Sequence, residues 1–115
     1  MKKAGLTDQA LRQAVAEMTQ GLIDADLGGG VVKKRVALPG RGKRGGARII
    51  VATRFRERWF FLYGFVKNER ATINQDELRA FQELARTLLG FTDREIATAL
   101  SSNEIFEVTY GNEKA

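Results

Sequence analysis

The sequence predicts a small α/β (α+β) fold, an antiparallel sheet of three to four strands packed against helices. Three observations carry that expectation. Two apolar segments of strand composition, Ala47–Thr53 and Trp59–Val66, are joined by a link too short for anything but an antiparallel hairpin. Segments before and after them repeat apolar residues at helical spacing behind capping signals. The chain has 115 residues and is 43% hydrophobic, which suits one ordinary core and is too apolar for a disordered chain. A single domain over residues 1–115 is expected, with 111–115 as a flexible tail.

The elements follow in order. Thr7 is placed to cap a first helix, Leu6 to staple onto Leu11, and Leu11, Ala14, Val15, Met18 and Leu22 recur at helical spacing. Leu27–Gly30 reads as a flexible turn. Val31–Leu38 reads as a strand with Val32, Lys34, Val36 and Leu38 on one face and Val31, Lys33, Arg35 and Ala37 on the other. Pro39–Gly46 is expected as a loop and Phe55–Arg58 as a turn, which makes a three-stranded meander with the hairpin. Asn74 with Glu77 has capping-box spacing, Ile73 can staple onto Leu78, and Leu78, Phe81, Leu84, Ala85 and Leu88 form an apolar stripe. Gly90 stops that helix. Thr92 and Glu95 repeat the box for a short helix to about Leu100, with Phe91 placed to meet Ile96. Ile105–Tyr110 is expected as a final strand. The helices are expected on one sheet face, leaving the other at least partly open.

Composition removes several chemistries. There is no Cys and no His, so no disulfide scaffold, thiol nucleophile or imidazole base is available. No stretch is long and apolar enough for a membrane span, no signal peptide is apparent, and a cytoplasmic protein is the expectation. The net charge of +5 is unevenly distributed. Residues 31–67 hold eleven Lys and Arg against the single acid Glu57, so that block is +10 and the rest of the chain −5. Such segregation suits a polyanionic partner, nucleic acid first; the bland alternative is a solvated charged face.

Gly28–Gly30 precedes a strand, not a helix, and lacks both the dinucleotide spacing and the Gly-Lys-Ser/Thr ending of a phosphate loop. Asp24 and Asp26 show no metal-ligand spacing, so no metal and no cofactor are expected. Arg41, Lys43 and Arg44 sit on the glycine-rich segment 39–46, whose backbone can approach a phosphate closely. Lys33, Arg35 and Arg48 lie on strands predicted to be neighbours, and Lys67 and Arg70 lie just past the third strand, so these cations can ring one end of the sheet. A cluster of that kind stabilises charge on a phosphoryl group. An ordinary structural use is also open, with Arg48 and Arg70 pairing with Glu69, Asp76 or Glu77. Trp59, Phe60, Phe61, Tyr63 and Phe65 occupy both faces of one strand and are chiefly core. One exposed aromatic would be able to stack on a base.

Taken together, Asp24–Gly30, Val32–Arg35, Pro39-Gly40-Arg41, Gly45-Gly46, Arg48, Phe60–Arg70, Ile73 and Glu77-Leu78 resemble the RelE/HigB-type toxins of bacterial toxin–antitoxin systems, within the RelE/ParE superfamily. The resemblance runs from about Leu6 to Leu100. It implies a small toxin fold and metal-independent endoribonuclease activity on messenger RNA, commonly on the ribosome, through attack of a ribose 2′-hydroxyl on the adjacent phosphate. It also implies neutralisation by a cognate antitoxin. On it, the catalytic candidates are Lys33, Arg35, Arg48, Lys67 and Arg70. Lys34, Arg41, Lys43, Arg44, Arg54, Arg56 and Arg58 are the RNA-binding candidates. Messenger RNA, the ribosome and an antitoxin are the expected partners, with a homodimer also open.

The chain departs from the family pattern in two ways. Asn68 and Asn74 stand where related toxins place an Arg and a Tyr. The additional first strand usual in the family is not seen before Met1-Lys2-Lys3, so a sheet short by one strand, or one with Ile105–Tyr110 on that edge, is expected. Two further readings follow. One is a catalytically weakened RNA- or ribosome-binding homologue. The other is a ParE-like, gyrase-directed toxin on the same scaffold.

Overall fold

The computed structural model describes residues 6–38, 42–54, 57–66 and 72–108, with backbone only for 42–45. Helix α1 spans Asp8–Thr19 and is followed by strands β1 (Ala25–Gly28), β2 (Val31–Leu38), β3 (Gly42–Arg54) and β4 (Arg58–Val66), then helices α2 (Gln75–Leu89) and α3 (Asp93–Ser101). The strands form one antiparallel sheet in the order β1-β2-β3-β4.

The helix starts follow from local chemistry. The Thr7 hydroxyl accepts the Ala10 amide at 3.0 Å, and Leu6 and Leu11 are both buried in the same cluster. Asn74 and Glu77 form the reciprocal box, as do Thr92 and Glu95, each satisfying amides that a helix end leaves without partners. Leu22 and Leu84 depart from their expected burial, being 55% and 42% exposed. Leu22 lies past the end of α1, where Gly21 at φ +91° turns the chain away. On α2 the covered stripe runs through Ala85, Leu88 and Leu89, one residue round from Leu84.

The sheet corrects the expected layering. Helices cover both faces, not one. On the first face α1 contributes Leu11, Ala14 and Met18 to a cluster with Val32, Val36, Leu38, Ala47, Ile49 and Val51. On the second, Ala85 and Leu89 of α2 pack with Val31, Ile50, Ala52 and Phe65. The middle strands bury apolar residues on both sides, and each side requires its own cover. A register shift between Ile50 and Val51 lets β4 send Phe61 to the first face and Phe60 and Tyr63 to the second.

Four other expectations change. The stretch read as a flexible turn overlaps the end of β1, whose last residue together with Gly29 and Gly30 has positive φ (+85°, +63° and +82°), so the chain reverses there into β2. An added Cβ at Gly30 would stand 2.9 Å from Leu89 Cδ1, which shows how closely α2 approaches this turn. The expected loop 39–46 is largely strand: β3 begins at Gly42, opposite Leu38. Arg58, expected in a turn, opens β4. Residues 105–108 of the expected final strand have no strand pairing, although Val108 packs on the first-face cluster. The fourth strand is therefore β1. Tyr110 and the expected tail 111–115 lie outside the described residues.

Candidate phosphate site on the second sheet face

The register assembles part of the predicted set. Arg35 on β2 is directly opposite Arg48 on β3, and Arg48 is opposite Phe65 on β4. The next row toward α2's contacts is Lys33, Ile50 and Tyr63. Side chains two residues apart on a strand share a face, so Lys33, Arg35 and Arg48 all project from the second face.

Two guanidinium groups directly across a strand pair repel each other. Asp24, just before β1, offsets that repulsion. Its Oδ1 accepts Arg35 Nε at 3.1 Å, and its Oδ2 accepts the Arg35 backbone amide. Its own amide donates to the Lys33 carbonyl at 3.0 Å, fixing the acid to β2. Arg35 remains accessible, with 45% of its side chain exposed, whereas Arg48 is only 7% exposed. Burial and then the neighbouring Arg35 lower the proton affinity of Arg48 from its ordinary value, and Asp24 works in the opposite direction. Arg48 stays charged at neutral pH, so a cation is held in a partly desolvated position beside an accessible one. In that setting an anion gains more from each charge than it would in open water.

Tyr63 shares this face. Its ring is stacked on Phe81 of α2 at 5.8 Å and lies 5.9 Å from Phe65 at a tilt. It is committed to the core under α2.

The other predicted cations do not converge here. Lys34 points to the opposite face, is buried beneath α1, and its Nζ meets Glu17 Oε1 at 2.8 Å. Arg58 donates to the Phe91 carbonyl and pairs with Asp93 Oδ1 at 2.9 Å, tying the start of β4 to the start of α3. Arg54 is opposite Arg58 at the β3–β4 turn, six residues along β3 from Arg48, or about 20 Å at strand rise. The backbone of Lys43 and Arg44 lies on β3, toward the same end of the sheet as the Arg35–Arg48 row. Their side chains, and Arg41, Arg56, Lys67, Asn68 and Arg70, lie outside the described residues.

Asn74 has a defined structural task. Its Oδ1 accepts the Glu77 amide at 2.8 Å and its amide donates to Glu77 Oε1 at 2.9 Å. An apolar groove lined by Leu11, Val15, Trp59, Phe61, Phe91 and Ile105 takes in none of the candidate cations. Among the described residues, no three Asp or Glu side chains gather to hold a metal, and no helix is long and apolar enough to cross a membrane.

Sequence reasoning set Asp24 aside because it matched no ligand spacing. Its signal was topological: the turn at Gly28–Gly30 folds β1 back on β2 and brings an acid eleven residues upstream alongside Arg35.

An antiparallel sheet between helices defines a small α+β protein, with Arg35 and Arg48 side by side on its central strands. The family model for the RelE toxin of the RelE / RelB toxin-antitoxin system matches residues 1–108. The chain belongs to that toxin family. No curated protein matches it.

Proposed function

We propose that the protein is a ribosome-dependent messenger-RNA endoribonuclease that inhibits translation and is restrained by a cognate antitoxin. The observation that carries this reading is the alignment of Lys33, Arg35 and Arg48 on one sheet face in a chain of the RelE family. A ribose 2′-hydroxyl gives up its proton to a base as it attacks the adjacent phosphorus, the new O2′–P bond forms as the P–O5′ bond breaks, and the leaving 5′-oxygen takes a proton, leaving a 2′,3′-cyclic phosphate and a 5′-hydroxyl. Arg35 and Arg48 stabilise the negative charge that grows on the non-bridging oxygens. Lys33 is the amine assigned in this proposal to exchange a proton with the reacting oxygens. Lys67 and Arg70 complete the proposed catalytic set. Neither His nor Cys is present to share the acid–base work.

Growth arrest after induction provides the test. Arg48→Ala or Lys33→Ala should relieve arrest while the purified variant keeps its fold by circular dichroism. Arrest that survives both replacements removes the cationic site from the mechanism.

Two observations favour a second reading, a weakened toxin that binds RNA or the ribosome without rapid cleavage. Position 74 is occupied by a helix cap, and the Tyr63 ring is packed against Phe81. Ribosome binding without new messenger-RNA ends would select this reading. Fast cleavage by wild-type protein on programmed ribosomes would exclude it.

A further inference from the structure

We infer that Asp24 is a positioning residue for Arg35, holding its guanidinium beside Arg48 so that the two cations act together on one phosphate. This inference rests on the proposed RNA-directed role of the second sheet face. Arg35 and Arg48 occupy directly opposed positions on β2 and β3, and the charge of Arg35 makes proton retention by Arg48 harder. Without a third group, the accessible Arg35 side chain would swing toward solvent and lower that repulsion.

The Asp24 carboxylate prevents this through a two-point grip on one residue. It binds the Arg35 backbone amide and side-chain Nε together, and the Asp24 amide is itself fastened to Lys33 at 3.0 Å. Arg35 Nε faces the acid, so the outer edge of its guanidinium is presented elsewhere. An Arg held by its Nε retains Nη donors for a phosphate oxygen, and its planar fork keeps their directions fixed. Asp24 has 23% of its side chain exposed against 45% for Arg35, which suits a group behind the contact surface. Its negative charge would repel RNA if it touched the substrate directly. Its use is to reduce the mutual repulsion of the two cations and to set the direction of one.

A double-mutant cycle separates positioning from general structural support. Wild type, Asp24→Asn, Arg35→Ala and the double variant are compared on programmed ribosomes, with kcat and KM determined for each. Binding to a short oligoribonucleotide that lacks the reactive 2′-hydroxyl is measured across salt concentrations. Asp24→Asn should lower kcat about tenfold or more, as expected when a catalytic group is misplaced, while changing KM little. The same substitution in the Arg35→Ala background should cost nothing further. Asp24→Glu should recover part of the rate. A loss of equal size on both backgrounds, or wild-type kcat in Asp24→Asn, would overturn the inference.

The two levels fail differently. If wild-type protein neither cleaves nor binds RNA, the proposed function fails. If wild type cleaves and Arg35→Ala does not, an unaffected Asp24→Asn variant rejects positioning alone. Thermal melts of all four proteins identify any variant that fails to fold. For such a variant the oligoribonucleotide salt slope of Asp24→Glu decides, with a wild-type slope supporting positioning and an Arg35→Ala slope opposing it.

Discussion

Lys34 and Arg35 are adjacent in the sequence and have opposite uses. Lys34 turns under α1, is buried, and reaches Glu17 at 2.8 Å. Arg35 turns to the α2 side, keeps almost half of its side chain in solvent, and stands beside Arg48. The strand period of two divides a basic run into a cation buried under α1 and one open to solvent on the opposite face. A run of positive charge is therefore not one functional feature. The same division separates the two faces of the sheet: the first is joined to its helix by a buried ion pair, and the second gathers cations at one end.

The largest expected effect lies on the second face. Arg48→Ala should lower the messenger-RNA cleavage rate by about a hundredfold or more, the range seen when a group that stabilises developing charge is removed. Its thermal stability should change little, because relief of the desolvation cost offsets the packing and the hydrogen bond to the Ala47 carbonyl that the side chain loses. Burial lowers the proton affinity of Arg48, so the folded chain holds that proton less well than the unfolded chain. The resulting cost is present at every pH below the lowered value and is released only as the pH rises through it. A neutral replacement removes that cost across the neutral range. Cleavage assays with thermal melts check both parts, and a large drop in melting temperature would contradict the second.

Lys34→Ala should do the reverse. Removing one partner of a buried pair strands the other, a loss of about 3–5 kcal/mol for a fully buried pair. Because Glu17 retains 18% side-chain exposure, about 2 kcal/mol is expected here. Lys34→Met should recover much of it by filling the same volume without charge. Urea unfolding measures the difference, and messenger-RNA cleavage per folded molecule should be little changed. Loss of cleavage in well-folded Lys34→Met would erase the distinction between the faces.

Gly30→Ala tests the fit of α2 against the sheet. The new Cβ would approach Leu89 Cδ1 to 2.9 Å at a backbone angle of φ +82°, and a destabilisation of about 1–3 kcal/mol is expected. Asn74→Ala is a smaller perturbation of the same helix. Loss of its cap should cost about 1 kcal/mol in chemical denaturation. An unchanged midpoint would leave position 74 without the structural role its two hydrogen bonds imply.

The comparison also explains what was legible in the sequence. The β3–β4 hairpin was visible because its apolar residues are dense and its link is short. The caps at Thr7, Asn74 and Thr92 were visible because they depend on side chains three residues apart. Which strands carry the cations could be read, and so could the second-face grouping of Lys33 and Arg35. Their register with Arg48 could not, because pairing depends on where β3 begins, and Gly42 was assigned to a loop. Strand β1 was hidden by its four-residue length and by the glycine run that begins at its last residue. The burial of Lys34 depends on Glu17, on another element earlier in the chain, and became visible only when α1 was seated on the first face. The task of Asp24 was hidden for the same reason, since a contact across eleven residues has no local spacing to announce it.

The central claim is that the cations aligned on the second face cleave messenger RNA. Mapping RNA 5′ ends on programmed ribosomes with wild-type protein and Arg48→Ala tests it most directly. The account predicts new ends at discrete positions with wild type and their loss with Arg48→Ala. The same ends produced by Arg48→Ala, or no new ends with a wild-type protein that still arrests growth, would contradict it.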